Sequence, residues 1–180
     1  MPKKKTPKKT KEFLNSITKL LDQAKLKYNL IEHKVVYTAH DAAQTTKKKL
    51  SEIAKVVLVR ADNNYALIVL PAGKYLDLGG IKKALKAKKV SIASEKDILK
   101  HLKTKVGLLH PFGNLFKLPP HPILSPKGAK GIMVMLDKGM AKSKKMLASA
   151  GSFTHSVEMG LKDFEKLVQP LKGVFSKAKK

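Results

Sequence analysis

The sequence predicts an α+β fold: a mixed, largely antiparallel central sheet surrounded by helices. Three observations predict it. The apolar runs KVVLVRA and YALIVLP flank a turn sequence, Asp62-Asn63-Asn64, and read as a hairpin. Helical segments are interspersed among further short strands, without the strict alternation of a doubly wound fold. The apolar share, 43% of 180 residues, is enough for one real core.

The elements follow in order. MPKKKTPKKTK reads as a flexible basic arm over residues 1–11, since Pro2 and Pro7 oppose helix and the lysines repel one another. No apolar h-region follows it, so it is not a secretory signal. Phe13, Leu14, Ile17, Leu20, Leu21 and Ala24 recur at helical spacing. YNLIEHKVV is a strand, and Thr38 is placed to cap a short helix through HDAAQ. Both rows of both hairpin arms are mostly apolar, which places the hairpin centrally in the sheet. LGGIKKALKA is a helix, KVSIAS a strand and EKDILKHL a helix. IMVMLD, KMLASAG and THSVEM are three more strands. LKDFEKLVQPL closes the domain as a helix, with Leu161, Phe164, Leu167 and Val168 on one face. Residues 173–180 read as a basic C-terminal tail outside the core. There is no internal repeat.

Charge narrows the partners. Thirty-eight Lys and Arg against thirteen Asp and Glu leave a net charge of +25. Such an excess favours a polyanion, nucleic acid before an anionic membrane surface. Lysine used only for solubility is the competing reading. No apolar run approaches the length of a membrane span. The absence of cysteine removes disulfides, thiolate nucleophiles and thiolate metal sites, and fits a cytoplasmic protein. His33, His40, His101, His110 and His121 show no metal spacing, so no metal is expected.

Three features carry candidate chemistry. In SEIAKVVLVR, Lys55 shares a strand row with Val57 and Val59. It either snorkels at the strand edge or presents a cation at the mouth of a pocket. In GLLHPFGNL, Gly107 and Pro111 bracket a short loop. Its amides suit a developing oxyanion, although the bare spacing also describes an ordinary turn. His155, in AGSFTHSVEM, is a lone histidine among apolar residues, a pattern more common in cores and rims than in sites. Asp137 and Glu158 are a conceivable carboxylate pair that nothing in the sequence brings together. GxSxG, a post-strand GxGxxG and a complete Walker A are absent; PAGKYLD has only the Gly-Lys pair. Aromatics are 6% of the chain, with no stacking pattern for base readout.

Taken in order, EHKVVYTAHDAA, SEIAKVVLVRADNNYALIVLPAGKYLDLGGIKKAL, PFGNLFKLP and ASAGSFTHSVEMGLKDFEKL resemble the YbaK/ProX-type aminoacyl-tRNA editing domain. This domain is also found inserted in some bacterial prolyl-tRNA synthetases. The resemblance implies an editing domain over residues 12–172 that hydrolyses the ester of mischarged tRNA in trans. Its alternative is a non-enzymatic, basic RNA-binding protein on the same fold. The resemblance implies that Lys55 and Gly107 are catalytic. It gives Leu108, Leu109, His110 and Pro111 to the substrate-holding loop and His155 to the amino-acid pocket. It implies no cofactor. The partner is the tRNA acceptor end, and a synthetase is a further partner that the resemblance admits. Two departures flank the expected pocket: His110, where a small residue or proline is usual, and the long segment PPHPILSPKGAKG.

Overall fold

The computed structural model describes residues 8–122, 124–125 and 127–178. Helix α1 (Lys8–Gln23) leads to β1 (Tyr28–Glu32), α2 (Ala39–Thr46) and the hairpin strands β2 (Ala54–Ala61) and β3 (Asn64–Pro71). Short β4 (Tyr75–Leu76) precedes α3 (Leu78–Leu85) and β5 (Val90–Ile92). The single turn α4 (Glu95–Asp97) widens into a π-helical turn over Ile98–Leu102. Then come β6 (Met133–Asp137), β7 (Lys145–Ser149), β8 (His155–Gly160), α5 (Leu161–Val168), β9 (Leu171–Gly173) and β10 (Ser176–Lys177).

The hairpin is central, as its two apolar rows require. The main sheet has the order β5-β2-β3-β6-β9. The β2–β3 and β2–β5 pairs are antiparallel; β3–β6 and β6–β9 are parallel. Side-chain alternation divides the sheet between two cores. Leu58, Leu67, Val69 and Val134 pack on one face with Ile17, Leu21, Phe112 and Phe164. Val59, Ile68, Leu70 and Met135 pack on the other with Ile81, Leu85 and Phe175.

A second antiparallel sheet, β1-β8-β7, meets the first at one bridge. Ile53 pairs with Leu147, and the Leu147 amide donates to the Glu52 carbonyl at 2.8 Å. Val36, Ala42, Ala43, Ala72 and these two residues fill the junction beneath α2. β2 pairs with β5 only from Val59 to Ala61, which leaves the first half of β2 without β5 beside it, next to the Ile53–Leu147 bridge. A cleft lies there, between the start of β2 and β7.

Both ends of the chain depart from expectation. Helix α1 starts at Lys8, inside the segment read as an arm; residues 1–7 lie outside the described residues. Part of the segment read as a tail, residues 173–177, joins the fold. Phe175 is 1% exposed, and its burial contributes about 2 kcal/mol. Its amide donates to Asp137 Oδ2 at 2.7 Å, and its carbonyl accepts from Asp77 N at 2.8 Å. β10 then pairs with β4. The backbone crosses α3 so closely that a Cβ on Gly80 would lie 2.6 Å from the Val174 carbonyl.

Candidate active site

The cleft between the sheets has a volume of about 310 Å³. One wall is Ile53–Val57 at the start of β2, including Lys55. A second comes from Val36–Ala39 and Ala42, at the start of α2. Gly107 and Leu109 supply a third. Leu147–Ser149, Ser152 and Ser156 close the site from β7, β8 and the turn between them.

Each wall has a local cause. α2 begins here because Thr38 and Asp41 form a capping box. Thr38 Oγ1 accepts from Asp41 N at 3.1 Å, and Asp41 Oδ2 accepts from Thr38 N at 3.0 Å. The Thr38 hydroxyl, then the Thr38 and Tyr37 amides, hold the Asp41 carboxyl below the usual range. Lys55 sits near the start of its strand, half-buried, and its ammonium donates to the Lys74 carbonyl. A strand-row lysine can be accommodated there because the side chain reaches the turn that follows the neighbouring hairpin arm.

The Gly107 loop turns at φ +86°, a conformation that favours glycine. A Cβ there would lie 3.1 Å from the Phe153 ring and 3.5 Å from the Tyr37 carbonyl. The loop thus passes beneath the Tyr37–Phe153 ring pair, whose centroids are 5.1 Å apart. Leu108 N donates to Lys105 O at 3.1 Å. Among the described residues, the Gly107 and Leu109 amides donate to no group of the chain. They are available donors in a cleft wall.

Lys55, Gly107 and Leu109 therefore come together in one cleft. Leu108 is half-buried and Pro111 buried, and neither lines the cleft. His110 departs from expectation: it is wholly buried in the core, not in the cleft wall. Its ring lies among Phe13, Phe112 and Phe116, and among the described residues neither ring nitrogen has a partner. Burial alone lowers its pKa to about 3. His155 also stays off the cleft surface. Alternation along β8 gives the cleft to Ser156, while His155 Nδ1 lies 2.9 Å from Thr154 Oγ1 and 3.4 Å from Ser152 Oγ. His155 backs the cleft through Ser152.

Asp137 and Glu158 have separate duties. Asp137 accepts from Gly139 N and Phe175 N, both at 2.7 Å. Glu158 pairs with Lys48 and, at 3.5 Å, with Lys145. Sequence reasoning missed Ser149, Ser152 and Ser156, and read Thr38 only as a cap. The period-two pattern of THSVEM was the available signal, because it sets Ser156 opposite the apolar row.

Among the described residues, no cluster of His, Cys, Asp or Glu could hold a metal, and no helix is long and apolar enough to cross a membrane. Residues 33–167 match the model of the aminoacyl-tRNA editing domain family. Over 151 residues the chain is 26% identical to the prolyl-tRNA editing protein ProX of Acetoanaerobium sticklandii, covering 83% of this chain and 86% of that one. Among solved structures, a proposed trans-editing enzyme for prolyl-tRNA synthetase superposes with a TM-score of 0.74 at 16% identity, covering 92% of this chain and 98% of that chain. A hypothetical protein superposes with a TM-score of 0.75 at 19% identity, covering 89% and 99% respectively. These two likenesses show the shared fold.

Proposed function

Since the chain belongs to the aminoacyl-tRNA editing domain family, we propose that it deacylates mischarged tRNA in trans, as a carboxylic ester hydrolase. The observation that carries this reading is the convergence of Lys55 with the Gly107 and Leu109 amides in one cleft. A cation and two unengaged N–H groups suit an ester whose carbonyl oxygen gains charge as water adds.

The ester is already activated, so positioning and oxyanion stabilisation suffice. Water adds to the carbonyl carbon. The bond to the ribose oxygen then breaks, and that oxygen takes a proton. The products are the free amino acid and an intact tRNA 3′ end. Lys55 holds the carbonyl or the terminal nucleotide electrostatically; the loop amides receive the oxyanion. Pocket shape comes from Val36, Ala42, Leu109 and Leu147, with hydroxyls from Thr38 and the three serines. Exposed Lys34, Lys74 and Lys105 lie within two residues of the cleft walls or of the group that holds Lys55. They suit the phosphates of an acceptor stem.

Single-turnover hydrolysis of alanyl-, cysteinyl-, seryl- and prolyl-tRNA tests the reading. Turnover of at least one ester above the spontaneous rate supports it. Tight, salt-dependent tRNA binding with no turnover of any ester would replace it with a non-enzymatic RNA-binding role.

A further inference from the structure

We propose that Ser156 receives the α-ammonium of the aminoacyl ester, as a hydrogen-bond acceptor whose polarity His33 sets. This assignment rests on the deacylase reading. Ser156 lines the cleft and is 5% exposed. Its Oγ lies 2.9 Å from Nε2 of His33. On the other side of the ring, His33 Nδ1 lies 2.8 Å from the Lys34 carbonyl oxygen. A carbonyl only accepts, so a neutral His33 carries its proton on Nδ1. Nε2 is then an acceptor, and the serine's own proton fills the contact. Ser156 turns lone pairs toward the cleft.

The sheet holds this arrangement. Ser156 pairs with Ile31 on β1 and Ser149 on β7, and the His33 amide donates to the Thr154 carbonyl at 2.9 Å. The two side chains come from segments 123 residues apart that the β1–β8 register brings together.

An aminoacyl ester needs such a group. It carries an ammonium next to the scissile carbonyl. Among the described residues, no carboxylate lines the cleft, and the one charged side chain that does, Lys55, is itself a cation. Neutral oxygens must receive the ammonium. Ser149 Oγ already accepts from Gly151 N, and Ser152 Oγ from Thr154 N, both at 3.1 Å. Among the described residues, Ser156 Oγ accepts from no donor of the chain, since its only contact is the one in which it donates. His33 touches no substrate in this scheme; it is a positioning residue that acts through Ser156.

The test compares two esters on one tRNA: the fastest ester of the panel above, and its desamino analogue, which has hydrogen in place of the ammonium. Ser156→Ala should raise KM for the aminoacyl ester by about tenfold, the scale of one charge-assisted hydrogen bond, with kcat little changed. It should leave the desamino analogue, which has no donor there, unaffected. His33→Leu should reproduce that pattern. His33→Gln, which can donate to the Lys34 carbonyl and still accept from Ser156, should restore most of the affinity. Thermal melts establish that each variant is folded. Equal losses on both esters would overturn the assignment, as would an unchanged KM for Ser156→Ala. Wild-type protein inert toward the whole panel would instead sink the deacylase reading, and this assignment with it.

Discussion

The imidazole of His110 stacks on the ring of Phe116, with centroids 4.3 Å apart and planes inclined by 10°. Phe13 of α1 meets the same imidazole edge-on at 5.2 Å. An ionisable group thus does the work of an aromatic core residue. Burial lowers its pKa to about 3, below the unfolded value near 6.5. The unfolded chain therefore takes up a proton first as pH falls. The associated stability is fully present above pH ~6.5 and is lost below it, by about 1.4 kcal/mol per pH unit. Urea unfolding between pH 7 and pH 5 should show this slope. His110→Phe should flatten it; an unchanged slope in that variant would contradict the account.

Lys55→Ala should slow deacylation by 100-fold or more, about 3 kcal/mol in the transition state. Stability should change little, because Lys55 sits half-buried near the start of β2 and its ammonium reaches the backbone carbonyl of the exposed Lys74. The check is single-turnover hydrolysis beside a thermal melt. A full rate in a folded variant removes Lys55 from the mechanism.

Gly107→Val should cost about 1–3 kcal/mol of stability, because a β-branched residue is strained at φ +86°. The new side chain would also press on Phe153 and move the Gly107 and Leu109 amides. Activity measured where the variant is fully folded should therefore fall further than stability accounts for. A loss of stability with full activity would make the loop a plain turn.

The fold was readable where local chemistry and burial agree. The Asp62-Asn63 turn and the doubly apolar arms announced β2 and β3, and Thr38 announced α2. The site was half readable. Lys55 and Gly107 were visible because each breaks a local rule, a charge on an apolar row or a glycine at a turn. His110 was misjudged because its place is set by Phe13 and Phe116, and Phe13 is far away in sequence. Ser156 escaped notice because a serine on a strand breaks no rule until its register with β1 is known. Phe175 was hidden by its neighbours, glycine and lysines that resemble a solvated tail.

The Glu158–Lys48 pair links β8 to the end of α2. The Lys48 hydrogen bond, followed by that from Asn29, holds the Glu158 carboxyl below its usual range. The same bond raises the Lys48 ammonium. The carboxylate's contribution is present above its unfolded pKa and is lost as pH falls through the depressed folded value. The ammonium's contribution is present below its unfolded pKa of 10.5 and fades as pH rises through the raised folded value. Glu158→Gln should cost about 1–3 kcal/mol at neutral pH. Because Lys48 is partly exposed and can regain water while Glu158 is nearly buried, Lys48→Met should cost more than Glu158→Gln. Chemical denaturation of both variants checks the order, and the reverse order would contradict it.

The crossing of Phe175 over α3 also bears on how a nascent chain matures. β6 lies between β3 and β9, and β9 is made long after β3. A chain halted before residue 171 would expose the outer edge of β6, a strand of five buried residues. It would also leave Asp137 without the amide that one of its oxygens accepts. An unpaired edge of that kind invites pairing with another chain. Stalled or trimmed products should therefore accumulate as aggregates, and full-length synthesis should act as the step that seals the sheet.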